Sequence, residues 1–584
     1  MRNHVLVVGI LLRTDVAMQL INTKDKRGRL PLDLALEASA GAVVALLTFY
    51  GARDRNGEGK KMLEISIRNG SLAAMKATLR SQEILTQDQV YHRTAWHWAV
   101  WRGSHCALRF LAKRKELSRF VNVNGRDGLT ALHLAVIKGD HSAIRLLIEG
   151  ASADTELRGG SGRGTPLHLA AENGKETTVQ VLIELGAEIE AKVWNGYTPL
   201  HLATVHGEVS TIQKLVQLGA NKEAKDNNGC TPLLRAAMGR NDTTVQMLID
   251  LGCDKEVTDG NGCTALHRAA MDGNDITVQK LIDLGCDKES KDSNGCTPLH
   301  RALYGSNNTV QMLIGLGCDK EAKDNDGCTP LHHATRNGEV TTVQMLIDLG
   351  CDKEGKDSNG WTPLHYAARN RNAITAQKLI DLGCEMESKD SNGCTPLHRA
   401  ASSGDHTIVQ KLIELGCDKE AKDKEGWTPL HRAAMYGNNT IVQMLIDLGC
   451  DKEAKNSSNG WTSLHYAASW GSNDIVQKLV DLGCDKEAID SNGWTPLHRA
   501  AMDRNNTTVQ MLIDLGCDKE ARDSNGWTPL HSAASLGSDD IVQKLVDMGA
   551  DKEAITNDGS TALHIAKAKG HATTVQLLEQ LGFH

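Results

Sequence analysis

The chain has 584 residues, with 65 Lys and Arg against 73 Asp and Glu; its net charge of −8 and pI near 6.3 argue against a nucleic-acid or anionic-membrane surface. Aromatic residues make up 4% of it and glycines number 55, which is poor material for one large closed core. No apolar run is long enough for a membrane span, and fifteen cysteines, an odd number without a C-x-x-C pair, read as cytosolic thiols rather than a disulfide framework.

In chain order, the opening MRNHVLVVGILLRTD imitates a secretory signal, with Arg2 followed by an apolar run from Val5 to Leu12. The run is short, Arg13 ends it and no A-x-A site follows, so secretion is not expected. A secreted form would carry glycans at the sequons of Asn307, Asn438 and Asn505. Three decayed segments come next, LPLDLALEAS at Leu30, KMLEISIRNG at Lys61 and TAWHWAVWRG at Thr94. Regular repeats then begin, with the Thr of T-P-L-H or a variant at 130, 165, 198, 231, 264, 297, 329, 362, 395, 428, 462, 495, 528 and 561, mostly 33 residues apart. The expected organisation is therefore 1–125, degenerate repeats, and 126–584, a regular array.

Each repeat reads as helix, loop, helix and hairpin. Thr528 suits an N-cap and Pro529 the first helical position, where no N–H is needed. Leu530, Ala533 and Ala534 give a short helix with a small apolar face, and Gly537 ends it. In the second helix Ile541, Leu545 and Met548 form one stripe, closed by Gly549. An N-D-G or S-N-G turn then signals a hairpin. Neither helix buries its face alone, so the repeats must stack.

The 33-residue T-P-L-H-x-A repeat resembles the ankyrin repeat family over essentially the whole chain. The resemblance implies an all-α repeat fold, an ankyrin-type α-solenoid of helix-loop-helix units with projecting β-hairpins beside a concave helical face. It also implies protein–protein binding without catalysis. Three positions depart from the family: Cys517 stands where it usually has Ala, Lys519 where it has a branched aliphatic, and Glu520 where it has Asn.

Fourteen histidines, His97 through His564, occupy the fourth T-P-L-H position. No nucleophile or orienting partner repeats with them, and Leu234 replaces one, so a structural role at helix position N3 is expected. Nine cysteines in L-G-C (such as Cys517) are expected as buried small hydrophobes. Five in G-C-T (Cys230, Cys263, Cys296, Cys328 and Cys394) are expected to be able to face solvent. Zinc favours closely spaced ligands, so neither a metal nor any other cofactor is expected. GGSGRG (159–164) reads as a lengthened hairpin, since it lacks the G-x-G-x-x-G pattern and its βαβ setting.

Positions that vary between repeats are the candidates for binding. The residue before the capping Thr is Tyr197, Trp361, Trp427, Trp461, Trp494 or Trp527, which is either a row of anchors or a set of packed spacers. The end of the first helix varies too, and Met435, Tyr436 and Trp470 there suit a recognition surface. Arg432 and Arg499, next to the histidine, are able to meet acidic partners, although pairing with hairpin carboxylates is the favoured reading. The expectation is a monomeric, cytoplasmic or nuclear scaffold for a protein partner, with no nucleic acid or membrane. An alternative is the ligand- or partner-sensing C-terminal region of a larger receptor or signalling protein, for example one with an upstream nucleotide-binding domain.

Overall fold

The structure, a computed structural model, describes residues 93–160 and 164–584 with scattered positions between 23 and 47. The opening apolar run and the segment at Lys61 lie outside the described residues, as does most of that at Leu30. Among the described residues there are thirty-one helices: fifteen helix pairs, starting with Ala95–Trp101 and ending with Ala572–Gln580, and the single turn Lys115–Ser118. No strand occurs among the described residues, so the architecture is an all-α repeat solenoid. The chain divides into two compact bodies, Met1–Ser293 with six of the pairs and Asn294–His584 with nine.

The repeat starting at Thr428 shows why the sequence folds this way. Thr428 is extended (φ −91°, ψ 168°), and Pro429 opens the helix Pro429–Met435. His431 at N3 turns its ring back so that Nδ1 accepts the Thr428 backbone N–H at 3.1 Å, a reciprocal cap. Ala433 and Ala434 are fully buried, and this small face lets the first helices of neighbouring repeats pack on one another. The second helix, Asn439–Asp447, buries Ile441, Val442 and Leu445. Each such aliphatic contributes about 1.5–3 kcal/mol on burial.

Repeats are also joined by polar bonds that recur in register. The histidine Nε2–H donates to the carbonyl before the next capping Thr, as from His398 to Trp427 (2.9 Å) and from His431 to Trp461 (3.0 Å). Lys255 Nζ donates to the Leu284 and Gly285 carbonyls at the end of the next repeat's second helix, and Lys486 does the same to Leu515 and Gly516. The glutamate of the same D-K-E accepts the next repeat's aspartate N–H, as Glu487 does from Asp518 at 2.8 Å. Lys519 and Glu520 thus depart from the family at positions where this array places its inter-repeat ties. Substituting Lys486→Met, which leaves two helix-end carbonyls to water, is expected to lower stability by about 1 kcal/mol, measured by urea unfolding followed by circular dichroism.

The expected β-hairpins take the form of tight turns. Within one finger Asp423 N–H donates to Trp427 O, and between fingers a single backbone bond recurs, such as Lys424 N–H to Asn392 O at 3.0 Å. That is too little pairing for a strand ladder. Close approach of the fingers also explains Gly393, which has φ +79° and where a Cβ would lie 2.7 Å from Lys424 N. The lengthened finger is seen as an isolated bridge between Gly159 and Gly164.

Candidate partner-binding surface

The finger bases are built on a buried aspartate. In the turn before Thr428, Asp423 Oδ1 accepts the Glu425 and Trp427 N–H groups at 3.0 and 2.9 Å, leaving Oδ2 for the Arg432 guanidinium at 2.6 Å. The same pair recurs as Asp226–Arg235, Asp259–Arg268, Asp390–Arg399 and Asp490–Arg499, with carboxylate side chains 0% exposed and guanidiniums 13–17%. Burial alone would raise the Asp390 carboxyl, but the Arg399 guanidinium and two backbone amides hold its pKa below the ordinary range. The arginines are thus committed to carboxylates of their own repeat.

Against this pair lie the aromatic residues. The Arg432 guanidinium sits 4.4 Å above the Trp427 ring, and Arg499 lies 4.2 Å from Trp461 and 4.0 Å from Trp494. Arg399 covers Trp361 and Arg235 covers Tyr197. Tyr466 packs on both Trp427 and Trp461, at 4.4 and 4.8 Å. Trp494 Nε1–H donates to Asp523 Oδ2 of the following repeat at 2.7 Å. Tyr197 and the five tryptophans, including Trp527, are all half-buried. The structure therefore brings Trp427, Arg432, Trp461, Trp494 and Arg499 into contacts within the finger row, each with one edge in solvent.

A second group stands apart from that network. At the end of the first helix, Tyr436 and Trp470 are 52% and 60% exposed, and Met435 beside them is half-buried. Tyr304, immediately before the loop glycine of its repeat, is 49% exposed in the same setting. Among the described residues of the body Met1–Ser293, Trp101, Ile137, Val205 and Met271 are exposed at this end of the helix. Sequence reading took Met435, Tyr436 and Trp470 but passed over Tyr304, whose repeat is one residue short and shifts its register.

One expectation is corrected. The G-C-T cysteines do not face solvent: Cys230, Cys263, Cys296, Cys328 and Cys394 are all 1–4% exposed. The next finger covers each of them, as Asp423 Oδ2 does Cys394 Sγ at 3.7 Å. The L-G-C set is buried too, and desolvation pushes thiols such as Cys253, Cys417 and Cys517 up to about 12. None of the fifteen cysteines is in a disulfide.

The buried histidines of this position are bonding elements. In His398 and His431, for example, Nδ1 accepts from the capping Thr and Nε2–H donates to a carbonyl, so both ring nitrogens are occupied. Burial lowers the pKa of His168, His365, His398, His431 and His465 to about 4.

A further regularity was available in the sequence. Where a repeat has Asp at the turn, the residue after the conserved histidine is polar, as in Asp259 with Arg268, Asp357 with Tyr366, or Asp423 with Arg432. Where that residue is Leu134, Leu169 or Leu202, the turn position holds Gly125, Gly160 or Val193. The two positions change together because a buried carboxylate needs a donor.

These stacked helix pairs, with their capped first helices and turn-like fingers, define a helical repeat solenoid. Compared with protein families, the chain matches "Ankyrin repeats (3 copies)" over residues 96–193, 191–259, 233–324, 303–390, 372–456, 448–523, 464–556 and 505–583, and it belongs to the ankyrin repeat family. Compared with curated proteins it has no significant match. Ankyrin repeats are generally protein–protein interaction modules. Among the described residues no helix is long and apolar enough to cross a membrane.

Proposed function

We propose that the chain is a non-enzymatic scaffold that holds a protein partner on the concave face and fingers of its regular array, residues 126–584. The observation that carries this reading is the exposure of the aromatic side chains Tyr436 and Trp470 at one register of the first helices, with Tyr304 exposed in the same setting. Aromatic side chains are expensive to leave in water and are the type most enriched at binding hot spots. The solvent edges of Tyr197, Trp361, Trp427, Trp461, Trp494 and Trp527 would border that surface, with Arg432 and Arg499 ordering the indoles. Occupied ring nitrogens on the repeated histidines and protonated thiols support the non-enzymatic reading. Unbridged cysteines support a place in the cytoplasm or nucleus.

The test is capture of partners from the native lysate by the wild-type chain and by Tyr436→Ser/Trp470→Ser. These side chains are exposed, so the variant is expected to melt within a few degrees of wild type and to lose at least ten-fold in partner affinity, a change of about 1.4 kcal/mol. Undiminished binding by a folded variant would place the partner elsewhere.

A further inference from the structure

The repeat beginning at Thr329 carries an unusual residue at one position. At the position that holds Arg268, Arg399, Arg432 or Arg499 elsewhere, it carries His333. His333 Nε2 lies 2.8 Å from Asp324 Oδ2, in the arrangement that Arg432 and Asp423 adopt. The thiol before the preceding capping Thr, Cys296, completes the group. The three donor atoms, one sulfur, one imidazole nitrogen and one carboxylate oxygen, all lie within 4.8 Å of one another. Cys296 is 3% exposed and His333 6%, and the Asp324 side chain is 7% exposed.

The geometry points to a binding site for a divalent cation of the zinc class, held by Cys296 Sγ, Asp324 Oδ2 and His333 Nε2. Thiolate, imidazole and carboxylate are the ligands this class of ion takes, at about 2.0–2.3 Å each. In a tetrahedron with such bonds the donors lie about 3.3–3.7 Å apart. The cluster therefore needs only small side-chain adjustments, with the His333–Asp324 bond opening to admit the ion. Water would take the fourth position.

Surrounding bonds already orient two of the ligands. Asp324 Oδ1 accepts the Asp326 and Cys328 N–H groups at 2.9 and 2.8 Å, which fixes the carboxylate and leaves Oδ2 available. His333 projects from the helix Pro330–Asn337, and its ring packs edge-on against His300 at 5.2 Å. The charged groups that act on the imidazole are Arg336, Arg301 and Asp324. In the apo arrangement Arg336 donates to His333 Nδ1 at 3.1 Å, and the proton sits on Nε2. Metal binding moves that proton to Nδ1, releases the Cys296 thiol proton to solvent and turns Arg336, an exposed side chain, outward. The two guanidiniums oppose a dication, so the site is weaker than a cysteine-rich structural zinc centre.

The neighbouring repeats are built-in controls. Cys394, Asp423 and Arg432 occupy the same three places, with the guanidinium 3.5 Å from the thiol and 2.6 Å from the carboxylate. At Cys328, Asp357 and Tyr366 a phenol bonds both, at 3.2 and 2.8 Å. A guanidinium or phenol fills the place a metal would take. Histidine instead supplies a ligand.

The experiment uses the full chain stripped with chelator and titrated with Co²⁺, read by absorption, then back-titrated with Zn²⁺. Wild type is expected to take up a single equivalent, with tetrahedral d–d bands and a thiolate-to-cobalt charge-transfer band that zinc bleaches. His333→Arg installs the residue of the other repeats and is expected to abolish both features with an unchanged melting curve. Should that variant unfold, Cys296→Ser, the residue found at this register as Ser560, is expected to erase the charge-transfer band alone. A wild type without the bands, either feature surviving in a folded His333→Arg, or a charge-transfer band surviving in a folded Cys296→Ser, would overturn the assignment.

Discussion

Acidification from pH 7 to 5 is expected to remove most of the stability of the body Asn294–His584. Four of its capping histidines, His365, His398, His431 and His465, have pKa values lowered to about 4, burial being the main cause in each. In the unfolded chain the same side chains titrate near 6.5. Below that value the unfolded state takes up protons that the folded state refuses, so stability is full above about pH 6.5 and falls as pH drops towards 4. At pH 5 the loss is about 2 kcal/mol per histidine, and four of them together approach the whole stability of an ordinary domain. Raised glutamates such as Glu321, Glu354 and Glu387 act in the opposite sense as they take up protons on acidification. Unfolding followed by circular dichroism across pH 7.5 to 4.5 checks this, and His465→Leu should make stability less steep in pH by one proton. A flat profile between pH 7 and 5 would show that the rings are not held neutral.

Substituting Asp423→Ala is expected to cost about 4 kcal/mol, the second large effect. The change leaves the mostly buried Arg432 guanidinium without its carboxylate and two turn amides without their acceptor. Breaking one side of such a pair typically costs 3–5 kcal/mol. The double variant Asp423→Gly/Arg432→Leu copies the pairing of Gly125 with Leu134 and is expected to recover most of the loss. Urea unfolding of the two variants and wild type measures both numbers. An Asp423→Ala midpoint equal to wild type would mean that Arg432 finds water or another partner at no cost.

Much of this structure was legible in one repeat. The Thr-Pro opening, the alanine face and the stripe of Ile541 and Leu545 each dictate a local conformation that neighbours then stack. The histidine's cap on Thr was legible too, because position N3 lies beside the N-cap. What one repeat does not contain is whatever the next repeat brings. Cys394 looked free to face water because the finger that covers it, with Asp423, belongs to the following repeat. Nothing within one repeat marks the partners of Lys486 and Glu487, which are the Leu515 carbonyl and the Asp518 amide one repeat on. The Cys296, Asp324 and His333 cluster escaped for the same reason, since its members come from two repeats and no short spacing connects them. The candidate site was half legible: the aromatic positions stood out as variable and Arg432 and Arg499 were expected to pair with hairpin carboxylates, while the stacking of those guanidiniums on the indoles became visible only in three dimensions.

Several of the ties between repeats end on main chain. His431 reaches a carbonyl, Lys486 reaches two, and Glu487 takes an amide proton. Every residue type offers those acceptors, and all but proline offer the donor, so such a joint does not ask what side chain stands on its far side. A repeat lifted out, or another spliced in at the same register, meets a compatible neighbour at either end without compensating substitutions. Recombination can thus reshuffle the exposed aromatic positions among arrays while leaving the joints intact, much as type is reset in a frame whose spacing never changes.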